Sequence, residues 1–403
     1  MLSWLAPLLV LGLVIFVHEL GHFLAAKWAS VYAPRFSLGW GKPLLSFRRG
    51  ETEYCISWLP IGGYVRMASK EDEGASMLEG GGELAAEATP SATGEAPVAV
   101  AELERSKHWD EHSMIPHGPR PIPADRWFES KPLYKRLVIL LAGVFMNVVL
   151  AVVVSTGIFM WYGTGYLPAV VDSVVVDKPA ALAGMQTGDS IVAIDGAPVA
   201  RWNEVLEIVS AAPGRAMEVG VVRGGAPLTL TITPESIEMP TPPIGEIRAV
   251  GRIGVGPRGI PVMERMGPGE SVAAGWNATW AMGGNVLAVL GGLFQGKVSV
   301  SQLGGPIEIA RSSVEAAQSG AQSLWMLVAF LSINLAILNL LPIPLLDGGQ
   351  ILFQVAESAF RRTFPPMVKE WYARIGLAAI LLLFVTVTFN DVKRLVTGWF
   401  GGE

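Results

Sequence analysis

Long apolar runs alternate with polar stretches along the chain, and four of the runs, about 4–26, 137–161, 324–346 and 373–390, have the length of membrane helices. Each approaches the ~20 residues needed to cross ~30 Å of hydrocarbon. A fifth run, 276–294, is uncharged but interrupted by Gly283, Gly284, Gly291 and Gly292. It reads either as a span or as an amphipathic helix on the membrane surface. Between the first two spans, Leu44–Phe47 and Tyr54–Trp58 flank the turn Arg48-Arg49-Gly50-Glu51, the pattern of a β-hairpin, and Gly62 and Gly63 permit a sharp bend before Tyr64. Strand-like runs at 168–176, 216–222 and 227–233 predict a small β-rich domain after the second span. The stretch from about 70 to 125 is rich in Ala, Gly, Glu and Pro, a composition that cannot bury enough apolar surface to fold.

These patterns predict a polytopic α-helical membrane protein with four transmembrane helices, a membrane-associated β-hairpin and one inserted extracytoplasmic β-rich domain. The expected order is helix 1 within 1–27, hairpin 35–67, cytoplasmic insert 70–125, helix 2 within 134–162, outer domain 168–260, amphipathic surface region 270–322, helix 3 within 324–349 and helix 4 within 372–390.

Composition agrees. Hydrophobic residues make up 51% of the chain and charged residues 16%, below the roughly 25% usual in soluble domains. A net charge of −5 argues against nucleic acid as a partner. The single cysteine, Cys55, excludes an intramolecular disulfide and a cysteine-based zinc site. The N-terminus lacks the charged region and small-residue cleavage site of a signal peptide, so helix 1 is expected in the mature protein. Lysine and arginine fix the orientation: the 27–136 loop carries Lys27, Lys131, Lys135 and Arg136 beside the spans, and 347–372 adds Arg361, Arg362 and Lys369. The positive-inside rule places those loops in the cytoplasm and 162–323 outside.

The chemistry begins at His18-Glu19-Leu20-Gly21-His22, inside an apolar run, and residues 1–17 before it carry no charge. Residues i and i+4 share one helix face, so both imidazoles can address one ion. This H-E-x-x-H spacing supplies two histidine ligands for Zn2+ with Glu19 as a general base. A structural helix gains nothing from His, Glu and His in hydrocarbon. Further ligands must come from elsewhere. His108-Trp109-Asp110-Glu111-His112 matches the inverted H-x-x-E-H pattern, but Pro116, Pro119, Pro121 and Pro123 follow, so it reads as a coincidence in a linker. Asp347 is the better third ligand. It follows an uncharged stretch, 316–346, in which Pro342 and Pro344 break the helix and Asn334 and Asn339 add polar side chains. Irregular backbone at membrane depth survives only in protein or at a cavity. The ordinary alternative is an Asp capping a helix.

Together, HELGH at 18–22, Pro60-Ile-Gly-Gly-Tyr-Val-Arg66, Leu303-Gly-Gly-Pro-Ile307 and NLLPIPLLDGG at 339–349 resemble the site-2 protease family of intramembrane zinc metalloproteases, of the bacterial regulator-of-sigma-E type. The resemblance spans nearly the whole chain apart from the 70–125 insert. It implies Zn2+ on His18, His22 and Asp347, water activation by Glu19, and substrate holding by Asn339. The neighbouring Asn334, Gly62, Gly63, Tyr64 and Pro342 join the candidate substrate-binding set. The hairpin reads equally well as purely structural on sequence alone; the resemblance favours an edge strand that pairs with unwound substrate. Lys178–Gly196 is similar to the core of a bacterial PDZ domain, which implies a peptide or C-terminus as its ligand. The 165–265 stretch accommodates one such domain, where relatives often carry two.

The expected activity is therefore intramembrane proteolysis of single-span proteins, such as an anti-sigma factor already trimmed outside, in a bacterial inner membrane. The protein would also contact lipid. Two alternatives stay open at this point: a membrane-anchored PDZ scaffold without catalysis, and a membrane zinc protease acting on soluble loops.

Overall fold

The computed structural model describes residues 3–69, 123–241, 246–259 and 261–400. Apart from 123–125, the 70–125 insert lies outside the described residues, and so do the His108–His112 motif and His117. In chain order the helices are α1 (Ala6–Trp28), α2 (Leu133–Tyr162), α3 (Pro179–Leu182), α4 (Trp202–Ser210), α5 (Pro268–Phe294), α6 (Pro306–Ser319), α7 (Ala321–Leu340), α8 (Asp347–Phe360) and α9 (Pro366–Phe400). Four described helical stretches are long and apolar enough to cross a bilayer: Ser3–Trp28, Leu133–Tyr162, Ala321–Leu340 and Met367–Thr397. They match the four predicted runs, as a polytopic membrane protein requires. The fifth run forms α5, which is not among the four.

The chain divides into two compact units, Met1–Val154 with Gly304–Glu403, and Ser155–Leu303. In the first unit α1 and α2 meet in opposite order. Gly21 lies at the Ala142 carbonyl, His22 reaches Ile139, and His18 faces Asn147. A Cβ on Gly21 would overlap the Ala142 carbonyl, so this close crossing requires glycine. Alongside α1, Val10 and Val14 pack on Val328 of α7 with Leu324, Leu331 and Leu335 around them.

The transmembrane run predicted for 324–349 is broken. Helix α7 stops at Leu340, and Asp347 opens α8. Pro342 and Pro344 cannot donate backbone hydrogen bonds and hold the preceding residues extended. Leu345 adopts φ 75°, a left-handed conformation that a branched side chain rarely takes. Short bonds close the turn, Ile343 N to Leu341 O at 2.7 Å and Leu346 N to Ile343 O at 3.2 Å. Gly348 and Gly349 press on the Leu340 and Ile343 carbonyls, leaving no room for a Cβ. Both glycines of the L-D-G-G sequence are thus demanded by the backbone fold that turns Asp347 inward.

Strands β1 (Arg35–Arg49) and β2 (Thr52–Arg66) form the predicted hairpin. Its base doubles on itself: Arg35–Leu38 stand between Glu53–Ile56 and Gly63–Arg66. Phe16 and Phe23 of α1 seat this base through Phe36 and Tyr54, with ring centroids 5.4–5.8 Å apart. The Glu51 turn is pinned to the end of α1 and to the segment before α2 by Lys27 at 2.5 Å and Arg126 at 2.7 Å. These two cations hold the Glu51 carboxyl down at about 2, with Arg126 the stronger. Beyond the base, Leu44, Leu45, Phe47 and Trp58 are all more than 60% exposed.

The second unit contains the short strands β3 (Thr164–Tyr166) and β4 (Val171–Val174) and an antiparallel sheet in the order β6 (Ala197–Pro198), β5 (Ser190–Ile194), β7 (Met217–Arg223), β8 (Ala226–Ile232). Met217, Val219 and Val221 alternate inward along β7 and are buried with Ile191, Ile194, Ile232 and Trp202, Val205 and Val209 of α4. Each such side chain contributes about 1.5–3 kcal/mol on burial. Asp189, fully buried, accepts two bonds of 2.8 Å from Arg223, whose guanidinium holds its carboxyl below the usual range. Gly275 of α5 lies against the backbone of Thr156, while Trp276 and Trp280 face outward with their rings 5.7 Å apart.

Candidate metal centre

The four residues that the sequence singled out for metal chemistry converge. His18 and His22, one turn apart on α1, are buried and point the same way; Asp347 arrives from the first turn of α8. His22 Nε2 stands 3.1 Å from His18 Nε2, and Asp347 Oδ2 stands 3.3 Å and 3.5 Å from the two nitrogens. Ligand atoms about 2.0–2.1 Å from a tetrahedral zinc are about 3.3–3.4 Å from one another. The triangle of donors therefore has the dimensions of one tetrahedral face.

Proton placement favours a cation at this point. His22 Nδ1 donates to the Ile139 carbonyl at 2.8 Å, so a neutral ring leaves the Nε2 lone pair directed at the other donors. Asp347 Oδ2 is buried without a hydrogen-bond partner. Nor does Asp347 cap a helix through its side chain: it is the first residue of α8, and no cap bond is present there. The capping alternative is thus not realised, and a buried carboxylate oxygen facing two imidazole lone pairs suits a metal ion. His18, His22 and Asp347 offer donor atoms all within 4.8 Å of one another.

A cavity of about 580 Å³ opens on this triangle. Glu19, Asn339, Gly62, Gly63 and Tyr64 line it together with Trp40. Gly63 leaves the Glu19 side chain room: a Cβ there would come within 3.1 Å of Glu19 Cγ. Asn339 Nδ2 stands 3.0 Å from His18 Nε2. The outer strand of the hairpin, Gly63–Arg66, thus borders the same space as the metal triangle.

Two candidates are placed elsewhere. Asn334, half-buried, and Pro342, exposed, are not among the cavity-lining residues. Five positions at about 100° each put Asn334 about 140° around the helix from Asn339, so one cavity cannot receive both. Pro342 belongs to the turn that ends α7, where its role is to stop the helix.

Two residues of α2 that the sequence reading did not single out lie at the site. A Cβ on Gly143 would overlap His22 and come within 2.7 Å of His18. Asn147, fully buried, stands with Nδ2 3.4 Å from His18 Nδ1. Asn147 was readable in principle, being the one polar side chain between 137 and 154, where intramembrane polar residues are functional by default; Gly143 carries no such signal.

Known proteins align with this arrangement along nearly the whole chain. The family described as Peptidase family M50 matches residues 6–383. A putative zinc metalloprotease of Rhizobium meliloti is 32% identical over 392 residues, covering 96% of this chain and 96% of its own. The zinc metalloprotease RasP of Bacillus licheniformis is 30% identical over 425 residues, covering 97% and 99%. The regulator of sigma-W protease RasP of Bacillus subtilis is 30% identical over 425 residues, covering 97% and 98%.

Proposed function

Because the chain belongs to peptidase family M50, we propose that this zinc metalloprotease of a bacterial membrane cuts the membrane-spanning segments of single-span proteins. The observation that carries the reading is the donor triangle of His18, His22 and Asp347, set in a helix that residues 1–17 enter without a single charge. A protease built for soluble loops gains nothing from ligands within an apolar span, because an ionisable group is costly there.

His18, His22 and Asp347 would hold the zinc, which would supply Lewis-acid polarisation of the scissile carbonyl and a more acidic attacking water. Glu19 takes the proton of that water and delivers it to the leaving amine. Asn339 faces the same space and donates to the substrate carbonyl as charge develops. A helical substrate hides its scissile carbonyl in its own hydrogen bonds, so it must unwind, and the outer strand at Gly63–Tyr64 offers main-chain groups with which it can pair. The exposed Leu44, Leu45, Phe47 and Trp58 of the hairpin support its contact with lipid tails.

The 168–260 domain is read as PDZ-like, outside the cytoplasm, and as a filter on substrates. The name of the Bacillus subtilis relative, regulator of sigma-W protease, supports a membrane-bound regulator as substrate class, released by regulated intramembrane proteolysis. The intact Glu19 argues against a scaffold without catalysis. Cleavage of a purified single-span peptide and of a soluble loop peptide in detergent, with and without a zinc chelator, tests the reading. Chelator-sensitive cleavage within the span supports it, and cleavage confined to the loop overturns it.

A further inference from the structure

The two histidines differ in how their outer ring nitrogens are held. His22 Nδ1 has a fixed acceptor, the Ile139 carbonyl at 2.8 Å. His18 Nδ1 instead faces the side-chain amide of Asn147, eight residues further along the same helix. For His18 to offer Nε2 to a metal as a neutral ring, its proton must sit on Nδ1, and that N–H then needs an acceptor. The Asn147 amide is fully buried, and its Oδ1 has no hydrogen-bond partner. Two N–H donors cannot bond each other, whereas a half-turn of the amide leaves its shape unchanged and presents Oδ1 to His18. The helix turn carrying this amide is itself pinned, since Ser332 of α7 donates to the Asn147 backbone carbonyl at 2.8 Å.

We propose that Asn147 is a positioning residue for the metal centre: its amide oxygen accepts the His18 Nδ1–H and fixes the imidazole with Nε2 free to bind zinc. The inference rests on His18 being a ligand. It assigns both second partners to one helix, a backbone carbonyl for His22 and a side chain for His18. An amide performs this task without placing a second charge beside Asp347 in an apolar surrounding. Loss of the acceptor leaves a buried N–H unpaired and lets His18 shift its proton to Nε2, where it blocks coordination.

The test compares full-length wild type, Asn147→Leu and Asn147→Asp in detergent. Zinc affinity is read by chelator competition, and the ligand field by the visible spectrum of the cobalt-substituted protein. Leu keeps the branched outline but has no acceptor, so zinc affinity should fall about 10–100-fold and the cobalt bands should change. Asp keeps an acceptor and should hold zinc within a few fold of wild type. If Asn147 only fills space, Leu will match wild type and Asp will be the weaker binder, which overturns the proposal. Should Leu fail to fold, zinc binding by Asp far weaker than wild type would overturn it equally. A wild type without stoichiometric zinc would be a separate result and would remove the ligand assignment of His18 itself.

Discussion

Gly143 lies so close against His22 that a single methyl group on it would take the place of the imidazole nitrogen. The two helices that build the site therefore touch through a residue with no side chain, directly opposite the metal-binding atoms. Gly143→Ala should displace both imidazoles and lower zinc affinity about 10–100-fold, with about 1–3 kcal/mol lost to overpacking. Gly157, on the same helix, has nothing within 4 Å of its would-be Cβ. Gly157→Ala should leave zinc content unchanged, and equal losses in the two variants would refute the contact argument.

The directions of the helices constrain how the chain crosses the bilayer. α1 and α2 run oppositely, and α7 runs beside α1 so that Leu335 and Asn339 share a cavity with Ile15 and Glu19. The expected topology then has the chain leaving the membrane after α2 on the face from which α7 starts, with α5 adding no crossing. Cysteines placed at Arg265 and Gly320 in a Cys55→Ser background should both react with an impermeant reagent from outside. Reaction from opposite faces would break both the topology and the convergence of His18 with Asp347.

Much of the centre was legible in sequence because it is written locally. The H-E-x-x-H spacing places two ligands on one helix face whatever surrounds them, and an acid after two prolines marks a break in a span. What was hidden depends on neighbours. That the chain turns Asp347 inward past the proline break follows from the packing of Gly348 and Gly349 on the carbonyls behind them. Grouping Asn334 with Asn339 overlooked the helical angle between them. Gly143 lies in an apolar run with no motif of its own, and its meaning appears only when α2 is laid on α1; Asn147 stood out there as a lone polar residue, but its partner did not.

The Glu51 anchor should show in the stability of the hairpin. Its carboxyl is held at about 2 by Arg126 and Lys27, so the folded value lies below the unfolded one. Its contribution is then fully present above the unfolded value, about 4.3, and is lost as pH falls toward 2. Glu51→Gln should lower the thermal midpoint at pH 7, and the gap from wild type should close between about pH 4 and 2. A gap unchanged across that range would mean that the ion pairs do not contribute.

If the 168–260 domain acts as a filter, replacing it with a flexible linker should permit cleavage of a substrate that still carries its bulky outer domain. The rate on a trimmed substrate should stay largely intact. Loss of activity on both would assign the domain to folding or recruitment instead.

The central claim is that His18, His22 and Asp347 hold zinc while Glu19 moves the proton. It is tested most directly by zinc content and cleavage rate measured on the same preparations of wild type, Glu19→Gln and Asp347→Ala. Glu19→Gln should keep one zinc per chain yet lose cleavage, because an amide cannot accept the proton of water. Asp347→Ala should lose zinc itself. Near-normal turnover by Glu19→Gln, or wild-type zinc affinity in Asp347→Ala, would contradict the account.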